Sequence, residues 1–158
     1  MRTRMRNFAR LGIVAGSLGL ALIAGTGGAQ AYTYDGTNPS STGCSADGRT
    51  VASATARNAA GASFGTIELR YSLNCHTAWA RMTLNYPESD CDNASAGYAC
   101  TRGYIIRNND GRTYSCKISP GQTQCYTPQV YDKDPLTSFA QAYVDAATGE
   151  SNTRTASY

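Results

Sequence analysis

Gly65-Thr66-Ile67-Glu68-Leu69-Arg70-Tyr71-Ser72-Leu73-Asn74-Cys75-His76-Thr77-Ala78-Trp79-Ala80-Arg81-Met82-Thr83-Leu84-Asn85 decides the fold of this chain. Ile67, Leu69, Tyr71 and Leu73 fall on one side of an extended chain, and Thr66, Glu68, Arg70 and Ser72 on the other. Successive side chains of a strand point to opposite faces, so this is the pattern of a half-buried strand. After the break at Asn74-Cys75-His76 the alternation resumes, with Ala78, Ala80, Met82 and Leu84 on one face and Thr77, Trp79, Arg81 and Thr83 on the other. Two antiparallel strands joined by a short turn are predicted. A helix over 77–84 is the rival, which Tyr86-Pro87 would stop early.

Working outward, Asp35-Gly36, Asn38-Pro39 and Asp47-Gly48 mark successive turns, and a short strand is expected around Thr50–Thr55. Tyr104–Arg107 and Thr113–Ile118 flank Asn108-Asn109-Asp110-Gly111-Arg112, a hairpin pattern. Gln124–Tyr131 reads as a strand interrupted by Pro128, hence at a sheet edge. Phe139–Ala147 and Asn152–Tyr158 read as a last hairpin, with a short terminal helix over Ser138–Ala147 as the alternative. Many short strands without a long helical period predict an all-β sandwich or barrel.

The first 31 residues read differently. Arg2, Arg4, Arg6 and Arg10 precede an uncharged apolar run, and Ala29-Gln30-Ala31 supplies a small-x-small cleavage pattern. The expectation is a signal peptide over 1–31, cut between Ala31 and Tyr32, with a single secreted β-domain over 32–158 and no membrane anchor after cleavage. The full chain carries 14 basic and 11 acidic residues; four of the Arg and none of the acids lie in that segment, so the remainder is close to neutral at −1. With no basic stripe left, nucleic acid is not an expected partner.

All six cysteines, Cys44, Cys75, Cys91, Cys100, Cys116 and Cys125, lie after the segment. An even count behind an export signal reads as three disulfides. Nearness in sequence selects Cys91–Cys100 and Cys116–Cys125 as local staples, leaving Cys44–Cys75. In the chain-entropy picture the short loops contribute about 2.5–3 kcal/mol each and the long one about 3.5–4. A zinc site would need more than one His and a Cys-x-x-Cys spacing. The pairs Asp90/Asp92 and Asp132/Asp134 lack the glycine and distal Glu of a calcium loop. No metal and no cofactor is expected, and the chain is read as a monomer.

The candidates for a binding site cluster on the two central strands. Glu68, Arg70 and Arg81 can serve as a steered carboxylate or as a glycan-binding pair, against the plainer reading of a cross-strand ion pair. Trp79 can serve as a sugar-stacking platform, or as a core residue packed on a disulfide. His76 has no nucleophile motif near it and reads as a turn residue. No catalytic constellation is evident, which points to a non-catalytic domain that binds an extracellular ligand, a wall glycan or a protein. The alternatives are a small secreted hydrolase using Glu68, or a protease inhibitor presenting loop 91–100 or 116–125.

Asp35-Gly36-Thr37-Asn38-Pro39, Thr42-Gly43-Cys44-Ser45-Ala46-Asp47, Glu68-Leu69-Arg70-Tyr71-Ser72, Cys75, Ala78-Trp79-Ala80-Arg81 and Tyr126-Thr127-Pro128-Gln129-Val130 together resemble a family of secreted actinobacterial domains known as domain of unknown function 2690. The resemblance implies a small extracytoplasmic domain and brings no activity with it.

Overall fold

A computed structural model describes residues 32–93, 95 and 97–158. The expected signal peptide and the residue before its cleavage point lie outside the described residues. The described chain is built from nine strands in two antiparallel sheets, plus one turn of 3-10 helix at Cys44–Asp47. The first sheet holds β1 (Arg49–Arg57), β2 (Ser63–Ser72) and β3 (Thr77–Leu84) in that order, with β6 (Gln124–Tyr126) and β7 (Val130–Tyr131) both pairing the free side of β3. The second runs β5 (Thr113–Lys117), β4 (Arg102–Arg107), β8 (Ser138–Ala146) and β9 (Gly149–Arg154).

The central pair has the register its alternation requires, with Glu68 opposite Arg81 and Arg70 opposite Trp79. Ile67, Leu69, Ala78, Ala80 and Met82 from the first sheet meet Ile105, Ala140, Ala142 and Val144 from the second in one buried core. Small residues let the layers approach closely. A Cβ on Gly103 would stand 3.2 Å from the Met82 Cβ and 3.4 Å from the Cys116 Sγ. The architecture is therefore a β-sandwich. Both helix alternatives give way to strand: in β8, Ser138, Ala140, Ala142 and Val144 are buried while Phe139, Gln141 and Tyr143 lie between them. Helix propensity loses here to an inward face that only a two-residue period can fill.

The disulfides join Cys44–Cys75, Cys91–Cys100 and Cys116–Cys125, the pairs that nearness in sequence selects. The first ties the 3-10 turn to the β2–β3 turn, and the third ties β5 of one sheet to β6 of the other. At Pro128, which has no N–H to give, the edge strand breaks, and Thr127 bridges the gap. Its amide donates to the Ala80 carbonyl at 3.0 Å, and its hydroxyl accepts the Ala80 N–H at 3.0 Å.

Two sequence pieces far apart in the chain form one latch. Buried Gln129 accepts the Thr77 hydroxyl (2.7 Å) and donates to the hydroxyls of Thr37 and Thr42 (2.9 Å each). Its backbone pairs with Thr37 O and Gly36 N. Beside it, Asp35 Oδ1 accepts the Tyr131 amide (2.6 Å) and Arg107 Nη1 (3.1 Å). Arg107, whose side chain is 0% exposed, also pairs with Asp110 (2.6 Å), donates to the Tyr131 carbonyl (3.0 Å) and lies under the Tyr32 ring. Burial disfavours its charge, but Asp110 and Asp35 outweigh that and hold the guanidinium above its usual range. The Arg107 bond in turn keeps the Asp110 carboxyl down at about 2. The Asp-Gly-Thr-Asn-Pro and Tyr-Thr-Pro-Gln-Val pieces thus act on the fold, fastening residues 35–43 across the end of β3.

Candidate binding face

All four sequence-named residues lie on the outer face of the first sheet, because Glu68, Arg70, Trp79 and Arg81 are the outward positions of β2 and β3. Glu68 forms an ion pair with Arg81 Nε and accepts the Thr50 hydroxyl at 2.7 Å. Arg70 donates to the same hydroxyl at 2.8 Å and to the Gly48 carbonyl at 2.6 Å. Burial pushes the Glu68 carboxyl up, but Arg81, Thr50 and Arg70 outweigh it and leave the group below its usual range. A general acid needs the opposite shift. Both oxygens of Glu68 are engaged, so it is an ionised strut that orients Arg81.

Trp79 is not an exposed stacking platform. It is 2% exposed, covered by the segment that follows the 3-10 turn. A Cβ on Gly48 would stand 2.6 Å from its ring carbons Cη2 and Cζ2, so Gly48 is there to admit the indole. The tryptophan forms the floor of a shallow depression of about 270 Å³, walled by Pro39, Ser40, Ser45, Arg70, Arg81 and Tyr126.

Sequence reasoning missed Tyr126. In β6 it pairs with Arg81, is 47% exposed, and borders a second depression of about 440 Å³ formed by residues 121–124. Its hydroxyl lies 3.4 Å from Gln124 Oε1. The signal available in sequence was the edge-strand reading of Tyr126-Thr127-Pro128, which leaves one side of the strand open. The face therefore presents one accessible phenol ring between guanidinium groups on one side and side-chain amides on the other.

The remaining candidates lie elsewhere. His76 sits in the β2–β3 turn with Nδ1 3.4 Å from the Tyr71 hydroxyl. Asp92 is tied to Lys117 (2.9 Å), Arg102 (3.5 Å) and the Cys100 amide (3.0 Å), which fastens loop 91–100 to the second sheet. Asp132 and Asp134 line a cleft at the end of the sandwich.

Fold and face define a disulfide-stapled antiparallel sandwich with a shallow aromatic and guanidinium surface on one sheet. The chain belongs to the family described as "Protein of unknown function (DUF2690)", which matches residues 32–141. It is similar to the uncharacterized protein YjfA of Bacillus subtilis (strain 168), with 39% identity over 119 residues that cover 71% of each chain. No solved structure matches it.

Proposed function

We propose that this is a secreted, non-catalytic binding domain that holds an extracellular ligand, foremost a wall polysaccharide, against the outer face of the first sheet. The observation that carries the reading is Tyr126, a half-exposed ring that borders two depressions beside the Glu68–Arg81 ion pair. An aromatic ring flanked by Arg and amide groups suits the C–H face and hydroxyls of a sugar, and its position on paired strands keeps the ordering entropy small. Among the described residues no carboxylate lines the depression over Trp79, and the charge of Glu68 beside it is held by Arg81. Three disulfides and the apolar Arg-led N-terminal sequence support export to an oxidising compartment.

The test is co-sedimentation of the oxidised protein with purified peptidoglycan, chitin and cellulose across a salt series. Retention that survives high salt is expected, since screening weakens charge contacts first. Tyr126→Ala should lower it by roughly tenfold or more, the scale of an interface anchor. Retention untouched by that change refutes the assignment of the face. Absence of retention on all three matrices refutes the polysaccharide reading and leaves a protein as the ligand to be sought.

A further inference from the structure

The depression over Trp79 carries a charge imbalance. Arg70 and Arg81 are the charged side chains that line it, and both are cations. Arg81 has one carboxylate partner among the described residues, Glu68, bonded through Nε. A guanidinium has five N–H donors, so those on Nη1 and Nη2 remain, beside the Tyr126 phenol that also acts on this group. Arg70 has no carboxylate within ion-pair distance among the described residues. It is nevertheless held still, because Nη1 donates to the Thr50 hydroxyl (2.8 Å) and Nη2 to the Gly48 carbonyl (2.6 Å). Both partners are neutral. They fix the guanidinium without cancelling its charge, so its ordering precedes the arrival of a ligand.

Two acids stand near the depression without lining it. Glu68 is shared between the guanidinium groups, with Arg81 in contact and Arg70 acting at longer range, and so offsets one positive charge of the two. Asp47, two residues beyond the lining Ser45, accepts the Ser72 hydroxyl (2.5 Å) and the Asn74 amide (2.9 Å) at the β2–β3 turn. Neutral donors complete the lining. Ser40 and Ser45 both border the depression, and neither hydroxyl is bonded to another described residue. A lining with guanidinium and hydroxyl donors and no carboxylate suits a monoanion better than a neutral ring.

Tyr126 says how the anion is carried. It is the register partner of Arg81, and directly opposed residues of an antiparallel pair have Cβ atoms about 4.5–5.5 Å apart. One sugar residue therefore reaches both the phenol and the guanidinium. A carboxylate attached to the pyranose ring itself meets the two together, with the C–H face on the phenol and the anion on the N–H donors. A polyol phosphate offers the charge but no ring face.

We infer that the ligand of this face is an acidic polysaccharide, whose hexuronic acid residues stack on Tyr126 and set their carboxylates against Arg70 and Arg81. The inference rests on the Tyr126 face being the binding site and adds the charge of the sugar that it selects.

Matched probes test that charge. Trigalacturonate and trimannuronate, each beside its methyl ester, vary the charge on one ring, and glycerol 3-phosphate supplies an anion without a ring. Calorimetric titration of the oxidised protein is run at about 0.1 M and about 1 M salt, between which the Debye length falls from about 10 to about 3 Å. At the lower salt at least one free acid should bind about tenfold more tightly than its ester, the scale of one charge-assisted bond. At the higher salt that gap should narrow while binding of the ester persists. Arg70→Gln should bring the acid down to the affinity of the ester, and Arg70→Lys should keep part of the difference. Unchanged Trp79 emission in both variants shows that the depression is intact. Tyr126→Ala should weaken acid and ester alike.

Equal affinity for acid and ester, with both lowered by Tyr126→Ala, overturns this inference and leaves the face as a site for neutral glycan. A gap that Arg70→Gln does not touch overturns it as well, because the charge would then be read elsewhere. Glycerol 3-phosphate binding as tightly as the acids does the same. So does the absence of binding by any uronate, in which case retention on the wall matrices and its response to Tyr126→Ala still decide the face by themselves.

Discussion

Replacing Arg107 by Met removes a guanidinium that is 0% exposed and joined to Asp35 and Asp110. Met matches the aliphatic stem in length, so the perturbation is chiefly electrostatic. Asp110 is 40% exposed and can turn to water, so its loss of a partner matters little. Asp35 is 3% exposed and cannot; it keeps the Tyr131 amide and Arg112, whose Nε stands 3.4 Å away at the rim. Stranding a buried charge costs about 3–5 kcal/mol, and the remaining Arg112 places the expectation near the lower end, about 3–4. The bond to the Tyr131 carbonyl and the contact with the Tyr32 ring disappear as well. For a domain of this size that corresponds to a fall in Tm of roughly 10–15 °C. Urea unfolding with the disulfides intact, followed by the fluorescence of Trp79, measures it. The decisive comparison is a double-mutant cycle. Asp35→Asn combined with Arg107→Met removes both charges, so the pair should cost less than the two single changes together, by about 1–3 kcal/mol. Strict additivity, or an Arg107→Met cost below about 1 kcal/mol, would refute the claim that this pair fastens the N-terminal segment to the sandwich.

Two further outcomes follow from buried groups. Burial pushes the Asp132 carboxyl up to about 6, against the opposing pull of Ser138 and Arg107. The folded state therefore holds a proton between about pH 4 and 6 that the unfolded chain has released, and stability falls as pH rises through that window. The fall amounts to roughly 3 kcal/mol as an upper figure. Asp132→Asn cannot titrate, so its stability relative to the parent should rise between pH 4 and 7; a difference that stays flat in urea midpoints over this range would contradict the burial argument. Gly48→Ala sets a methyl 2.6 Å from the buried Trp79 ring, and should destabilise by about 1–3 kcal/mol while shifting Trp emission to the red. An unchanged midpoint would show that the covering segment can move aside freely.

The residues of the outer face come together because the β2–β3 register sets Glu68 against Arg81 and Arg70 against Trp79. That much was legible, since a two-residue period assigns faces without further information. Trp79 shows where such reasoning stops. Its outward position was readable, but its burial depends on Gly48 and the 3-10 turn crossing over it, a contact between segments about 30 residues apart. Tyr126 was missed for the converse reason: three residues of β6 carry too little periodicity to reveal a face, and its exposure comes from lying at the open edge of β3.

By itself, then, the sequence determined the all-β class, the central pair and the disulfide partners nearest in the chain, because alternation and spacing are local properties. Tertiary structure alone decided the buried Arg107–Asp35 latch, the burial of Asp132 and the closure as a sandwich. Nothing in the local sequence marks Arg107 or Asp132 for burial. Only the stacking of two sheets withdraws them from water, and it is that withdrawal which turns one charge into a clasp and makes the other group hold its proton.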